Sequence, residues 1–472
     1  MFTVHCSLFI EKNYSYLCRD FSIINDYMRI IISGAGEVGT HLAKMLSREN
    51  HQIVVIDTDD ERLTKLSATS DLMTLRGNVN SKQFLIEANT GKADLFIAVT
   101  PWDDTNIVSA IMAKKLGAKF TVARVGTSEP RNKENREFFT DMGIDSFIYP
   151  ESIATYEVSN ILRQSGASML VDFSGGKLSL LSVKLNKHAP IIDKTPKEAA
   201  DIYQIDYCTV AILRNGHTII PRGEIRYQPN DTVYVVTNHS GIGKMLLYSG
   251  QEKKDISQVM ILGGSHIGRL MAKELGKDYH VKIFEAKRDE AYRLSDSLNN
   301  AMVIHGDGTN VDLLMEEGLR TTDAFIAVTG NSETNILACM LAKNEGVRHT
   351  IAEIENLDFI NLAKRMGIDT IINKKLIAAG HIYRYTLKSS VTMMKYLATT
   401  DAEVLEFIVS PKSKIIARPL REIHFPENAM IGGFIRGEHG YIATDDMWIQ
   451  PDDHVVVITL PSAIGEVNKL FL

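Results

Sequence analysis

The amino-acid sequence predicts an α/β protein made of one unit written twice: a doubly wound parallel sheet followed by a small β-rich α+β module. Three observations predict this. Arg29 to Asp57 reads as a buried strand, a glycine-rich turn, a helix and a second strand that ends in an acid. From Val259 to Glu285 the chain repeats that order. The landmarks of the two copies also keep one register: Gly34 and Gly263, Gly77 and Gly306, Thr100 and Thr329, and Asn106 and Asn335 are each 229 residues apart. A duplication explains such matches, and the period is far too long for a solenoid.

The glycines carry the first functional expectation. In Gly34-Ala35-Gly36-Glu37-Val38-Gly39, the first glycine permits a tight turn. The second lets backbone approach a pyrophosphate, and the third lets the helix pack on the strand. This is the fingerprint of a dinucleotide-binding (Rossmann) domain. Backbone N–H groups at the helix start would face the phosphates, and Asp57 would accept from the ribose hydroxyls. The alternatives are a merely structural turn and a solvated acid at a strand end. Thr58, Asp59 and Asp60 surround the place a 2′-phosphate would take with negative charge, which disfavours NADP. The second copy reads Gly263-Gly264-Ser265-His266-Ile267-Gly268. There Ser265 replaces the middle glycine, and its side chain would either crowd the phosphates or hydrogen-bond one. Glu285 takes the place of Asp57, with Lys287 and Arg288 close behind, so its nucleotide preference is less clear.

Taken in order, the chain alternates strand and helix from Met28 to Pro150, through a helix at 60–68 that Asp59 would cap. The continuous apolar run from Asp94 to Thr100 is what a central parallel strand covered on both faces requires. Residues 28–150 are therefore assigned to the first nucleotide-binding domain and 151–166 to a linker helix. Residues 167–247 form a small module of short strands punctuated by Asn215-Gly216, Pro221-Arg222-Gly223 and Pro229-Asn230. The second copy takes 257–373, a linker helix over 374–396 and a module over 397–472. Residues 1–27 precede the first strand and read either as a disordered extension or as the product of a start assigned too far upstream.

Composition narrows the function classes. At 472 residues the chain is too long for one core, and its 44% hydrophobic and 23% charged residues are those of an ordinary globular protein. A net charge of −6 offers no broad basic surface for nucleic acid. No run of about 18 apolar residues spans a bilayer. Cys6, Cys18, Cys208 and Cys339 lack metal-ligand spacing, which suits free thiols in a reducing compartment.

Further residues fall beside the expected crevice. Thr100 and Thr329 end the fourth strand of each sheet; they either line the ligand or, with Asp103 and Ser332, cap the next helices. Asp307 could reach an adenosine, whereas its counterpart Asn78 keeps the shape without the charge. Arg124 could offer a guanidinium to a phosphate, but its counterpart Glu353 has the opposite sign. The two halves therefore need not bind the same ligand equally. A dehydrogenase would need a proton donor beside the nicotinamide, usually from a sizeable substrate domain. The small modules offer His188, His217, His239, His424, His439 and His454, none with a motif-level partner.

These motifs carry a resemblance. The strand and turn Ile31 to Gly39, the Phe96 to Thr100 strand with Asp104-Thr105-Asn106 after it, and their partners Phe325 to Thr329 and Glu333-Thr334-Asn335 resemble the TrkA family of RCK/KTN-domain proteins, the cytoplasmic regulatory subunits of bacterial Trk potassium uptake systems. The resemblance covers Met28 to Leu472. It implies a nonenzymatic regulator that binds NAD(H), with ATP or ADP as further ligands. It also implies docking on the inner face of the plasma membrane through a Trk-type potassium-translocating subunit, as a homodimer or homotetramer. By that similarity the first-half contacts fall on Gly34, Ala35, Gly36, Glu37, Val38, Asp57, Thr100, Pro101 and Arg124. The second-half contacts fall on Gly263, Gly264, Ser265, His266, Ile267 and Glu285. The competing readings are an NAD-dependent oxidoreductase and a nucleotide sensor of another transporter.

Overall fold

The structure, a computed structural model, describes residues 27–47, 51–126, 133–163, 169–250, 256–387, 390–397 and 400–472. The N-terminal extension, save Tyr27, lies outside them. The first sheet domain runs β1 (Arg29–Ser33), α1 (Glu37–Leu46), β2 (Gln52–Asp57), α2 (Asp60–Ser67), β3 (Met73–Arg76), α3 (Lys82–Glu87), β4 (Leu95–Ala98), α4 (Asp103–Leu116), β5 (Phe120–Arg124), α5 (Lys133–Met142) and β6 (Ser146–Ile148). Its six strands are parallel and ordered β3-β2-β1-β4-β5-β6. The central strand β4 is buried along its whole length, because helices cover both faces of a parallel sheet. Asp59 caps α2 by accepting from the Glu61 and Arg62 amides, as its position predicts, and Gly117 at φ 117° ends α4.

The linker helix α6 (Pro150–Arg163) leads to β7 (Met169–Phe173), β8 (Leu178–Lys184), α7 (Pro196–Tyr203), β9 (Tyr207–Arg214), β10 (His217–Ile219), β11 (Thr232–Thr237) and α8 (His239–Tyr248). The sheet is antiparallel, ordered β10-β9-β11-β8-β7. Asn215 (φ 51°) and Gly216 (φ 83°) make the two-residue turn between β9 and β10 that the sequence signals. A capping box of Thr195 and Glu198, with Pro196 in the first turn, starts α7.

The second copy follows with β12 (Gln258–Leu262), α9 (His266–Leu275), β13 (His280–Glu285), α10 (Arg288–Ser297), β14 (Ala301–His305), α11 (Val311–Glu316), β15 (Ala324–Ala327), α12 (Ser332–Asn344), β16 (His349–Glu353), α13 (Leu357–Arg365) and β17 (Thr370–Ile372). The strand order β14-β13-β12-β15-β16-β17 matches that of the first sheet. After α14 (Lys374–Tyr383) come β18 (Ser390–Tyr396), β19 (Glu403–Ile408), β20 (Ala429–Arg436), β21 (His439–Ile442), β22 (His454–Thr459) and α15 (Ile464–Phe471). The expected linker helix over 374–396 is thus too long: helix ends at Tyr383, and 390–396 is an edge strand paired with β19. Its Val-Thr-Met-Met core is β-prone, and it is the counterpart of β7. The segments Gln228-Pro229-Asn230-Asp231 and Gln450-Pro451-Asp452-Asp453 are exposed turns that each end in a buried acid. Asp231 and Asp453 accept the Gln228 and Gln450 amides and pair with Arg214 and Arg436 at 2.8 and 2.7 Å.

The two halves exchange their linker helices. Helix α6 buries Ala154, Val158 and Leu162 with Val259, Ile267 and Met271 of the second sheet domain. Helix α14 buries Ala378, Ala379, Ile382 and Tyr383 with Ile30, Val38 and Leu42 of the first. The small modules meet face to face, with Phe173, Leu180 and Val236 against Val404, Ile435 and Val456. Gly432 lies so close to β11 that an added Cβ would be 2.5 Å from Val236.

Candidate functional site

Each glycine loop sits at the carboxyl end of its sheet, at the point where strand order reverses, which is where doubly wound folds bind ligands. Gly34 and Gly263 adopt φ of 107° and 109°, a region that favours glycine. A Cβ on Gly39 would fall 1.8 Å from the Gly34 carbonyl oxygen, and one on Gly268 would fall 2.0 Å from that of Gly263. The third glycine is therefore fixed by helix–loop contact. By contrast, a Cβ on Gly36 would meet nothing within 4 Å. That open space tolerates the serine of the second copy. Ser265 Oγ donates to the Val328 carbonyl at 2.7 Å and accepts from the Gly268 amide, so it caps α9. Val38 and Ile267 turn their side chains into the core.

The acids at the strand ends face the loops. Asp57 accepts from the Ala35 amide at 2.5 Å and the Asp59 amide at 2.9 Å. Glu285 accepts from the Gly264 amide at 2.9 Å and the Lys287 amide at 2.8 Å. Both copies thus hold a carboxylate at the mouth of the glycine loop. In the second, Gly263, Gly264, Ser265, His266, Glu285, Asp307 and Thr329 line one cavity of about 810 Å³. Asp307 accepts from the Thr309 amide and hydroxyl, at 2.9 and 2.7 Å, which holds its carboxyl below the usual range. Arg269, Lys287 and Arg293 share this cavity, so it mixes both signs of charge.

Thr100 and Thr329 do not cap the following helices. The N-caps are Trp102 and Asn331. Each threonine instead donates its amide and hydroxyl to a buried asparagine: Thr100 to Asn106 Oδ1 at 2.8 and 2.7 Å, Thr329 to Asn335 Oδ1 at 3.0 and 2.6 Å. Asn106 Nδ2 reaches on to the Arg124 carbonyl at 2.9 Å, and Asn335 Nδ2 to that of Glu353 at 2.8 Å. Each asparagine ties two strand ends together under the crevice. Asp103 and Ser332 are not caps either; they accept the Gly126 and Glu355 amides at 3.0 Å and hold the loop after the fifth strand. Pro101 leads into Trp102, whose side chain is exposed.

Arg124 ends β5 and pairs with Glu151 of α6 at 3.0 Å. The opposite sign of Glu353 now has a physical account. Glu353 ends β16 and pairs with Lys374 of α14 at 2.5 Å, so the ion pair is kept and its polarity inverted. Beside it, burial and the neighbouring Glu353 carboxylate push the Glu355 carboxyl up to about 7 against the pull of Lys374.

One contact joins each glycine loop to the other half. His266, at the start of α9, donates Nε2–H to the Gly126 carbonyl at 2.8 Å, while Arg269 donates to its Nδ1 at 3.2 Å. Glu37, at the start of α1, pairs with Lys375 at 3.1 Å, and Lys375 also donates to the Glu355 carbonyl. Neither Gly126 nor Lys375 stands in a recognisable motif; only their closeness to the fifth strand and the linker start could have flagged them.

Comparison with known proteins settles the family. The TrkA-N domain matches residues 30–150 and 259–374, and the TrkA-C domain matches 180–250 and 404–472. The chain belongs to the TrkA family. It is 31% identical to the Trk system potassium uptake protein TrkA of Vibrio alginolyticus over 451 residues, covering 94% of this chain and 98% of that one. It is likewise 31% identical to a TrkA homolog of Archaeoglobus fulgidus, covering 94% and 100%. Among solved structures, the GsuK RCK domain superposes with a TM-score of 0.60 at 16% identity, covering 94% of this chain and 95% of that one. The GsuK channel bound to NAD gives 0.61 at 16% identity, covering 94% and 79%. These likenesses establish the duplicated fold. Among the described residues no helix is long and apolar enough to cross a membrane.

Proposed function

We propose that the chain is a nonenzymatic cytoplasmic regulatory subunit of a potassium uptake system, which gates a Trk-type membrane subunit through nucleotide-dependent changes of shape. It binds NAD(H) at the two glycine loops, with ATP or ADP as competitors, through Gly34 to Gly39 and Asp57 in one half and Gly263 to Gly268 and Glu285 in the other. It assembles as a homodimer or homotetramer. The observation that carries the proposal is the crossing contact at each loop: His266 on Gly126, and Glu37 on Lys375. A nucleotide seated at either loop meets groups of the other half. Any arrangement of the halves that it binds better is favoured by the difference in affinity, typically about 1 to 3 kcal/mol per coupled site.

The commitments of the lining side chains support a binding role over a catalytic one. His266 is spent on Gly126, Glu285 on the loop and Asp307 on its own turn. The names of the relatives and of the NAD-bound GsuK channel point the same way. The test uses Trp102, which stands at the first crevice, as an energy-transfer donor to bound NADH. Titration should quench it saturably, ATP should reverse the quenching, and Gly36→Asp should abolish it while leaving the fold intact. A pull-down with the membrane subunit checks the partner. Failure to bind either NADH or ATP with Asp57 in place, or failure to retain the membrane subunit, overturns the proposal.

A further inference from the structure

A second cavity, of about 700 Å³, lies away from both glycine loops. Its walls come from five parts of the fold: α6, the sheet of the first small module, the end of α13 with the starts of β16 and β17, α14, and β18. Arg348, His349 and Asp369 mark the amino edge of the second sheet, opposite the carboxyl edge where nucleotides belong. This cavity shares no residue with the crevice around Gly263. Its volume suits a small molecule, and clefts between domains are where such sites concentrate.

The charges lining it do not balance locally. Its carboxylates are all engaged: Glu157 with Lys395 at 2.7 Å, Asp369 with Lys343 at 2.6 Å and the Thr350 amide at 2.9 Å, and Asp172 with Ser179 at 2.6 Å and Asn160 at 3.3 Å. Among the basic groups, Lys395 is spent on Glu157, Lys184 stands on β8, and Arg348 stands at the exposed rim. Burial pushes His349 down and His381 to about 4, which favours their neutral forms. Lys364, on the last turn of α13, differs from all of these. Its stem is part-buried, and among the described residues no carboxylate or carbonyl meets its ammonium. Burial alone pulls it to about 7. An ammonium held this way is costly unless an anion joins it. The same cavity mixes polar groups such as Asn160 and Ser182 with apolar walls from Ile153, Ile161, Met169, Leu376 and Met393.

We propose that this cleft is a ligand site separate from the nucleotide crevices, taking a small acidic molecule whose single anionic group pairs with Lys364 while its aromatic or branched apolar body fills the space between α6 and β18. Because its walls join both halves of the chain, an occupant holds α6, the first small module and the second sheet domain in one arrangement.

The probe is 1-anilinonaphthalene-8-sulfonate, which has that chemistry, titrated into the full chain with fluorescence and calorimetry. Saturable binding of about one probe per chain is expected, undisturbed by excess NADH. At pH 8 binding should take up about one proton, read from calorimetry in two buffers of different ionisation enthalpy, because the anion raises an ammonium that burial had lowered. Lys364→Met keeps the stem and removes the charge. It should weaken the probe by about tenfold or more and abolish the proton uptake, leaving NADH quenching of Trp102 unchanged. Equal probe affinity in Lys364→Met, no proton uptake by the natural chain, or displacement of the probe by NADH overturns the proposal.

Discussion

Arg124 offers a sharp test, since a phosphate and Glu151 make opposite demands on it. The Arg124–Glu151 pair is 3.0 Å long, with Arg124 one quarter exposed and Glu151 one tenth. The second carboxylate oxygen of Glu151 is buried and has no hydrogen-bond partner. Removing the guanidinium in Arg124→Met therefore strands a buried carboxylate. Such a loss costs about 3 to 5 kcal/mol in a fully buried pair, and solvent at Arg124 reduces it to about 2. Glu151→Gln keeps an acceptor and should cost about 1 kcal/mol, and the double variant should show about 1 kcal/mol of coupling. At about 2 to 4 °C per kcal/mol for a unit of this size, Arg124→Met should melt about 5 °C lower. Thermal unfolding followed by tryptophan fluorescence reads this, and NADH titration of the same proteins reads the alternative. Both single variants should keep NADH affinity within about threefold, and Arg124→Glu with Glu151→Lys should recover most of the lost stability by copying the polarity of Glu353 and Lys374. A tenfold loss of NADH affinity in Arg124→Met with none in Glu151→Gln, and no coupling in the melts, would refute the reasoning and return Arg124 to the phosphates.

Three other outcomes follow from geometry already given. Gly36→Ala should leave stability within about 0.5 kcal/mol, whereas Gly39→Ala, with its Cβ 1.8 Å from the Gly34 carbonyl, should prise α1 from the loop and cost several times more; denaturant titration compares them. Leu162→Ala should destabilise by about 2 to 5 kcal/mol, and hydrogen exchange should show the loosening in α9 of the second sheet domain. Burial, with Arg384 and Lys395 adding to it, lowers His381 from 6.5 to about 4, so the folded state prefers the neutral ring. The unfolded chain then binds the extra proton between those values. The contribution is complete above about pH 6.5 and is lost as pH falls towards 4. His381→Leu should flatten that part of the stability–pH profile by about 2 to 3 kcal/mol.

The sheet domains were legible because parallel strands covered on both sides must be apolar throughout, as Leu95 to Ala98 are, and because the glycine at φ 107° leaves a mark no other residue replaces. The spacing of 229 residues made the second copy readable from the first. Asn106 and Asn335 were visible as a repeated pair, yet nothing in a sequence says that an asparagine amide will bridge two strand ends. Ser265 was ambiguous because a serine beside a helix start either caps it or meets a ligand, and only the Val328 carbonyl decides. Asp103 and Ser332 looked like caps for the same reason. The exchange of α6 and α14 was not legible: helical periodicity reveals that a face is apolar but not which surface covers it.

That exchange makes the duplicated chain something other than two beads on a string. Cut after the first small module, the amino-terminal piece would carry α6 with its apolar stripe wet and would lack the helix that closes the core around Ile30 and Leu42. Each copy keeps part of the other's interior, as two hands hold when each grips the opposite wrist. Two separate single units could reproduce this grip only by exchanging the same helices between molecules.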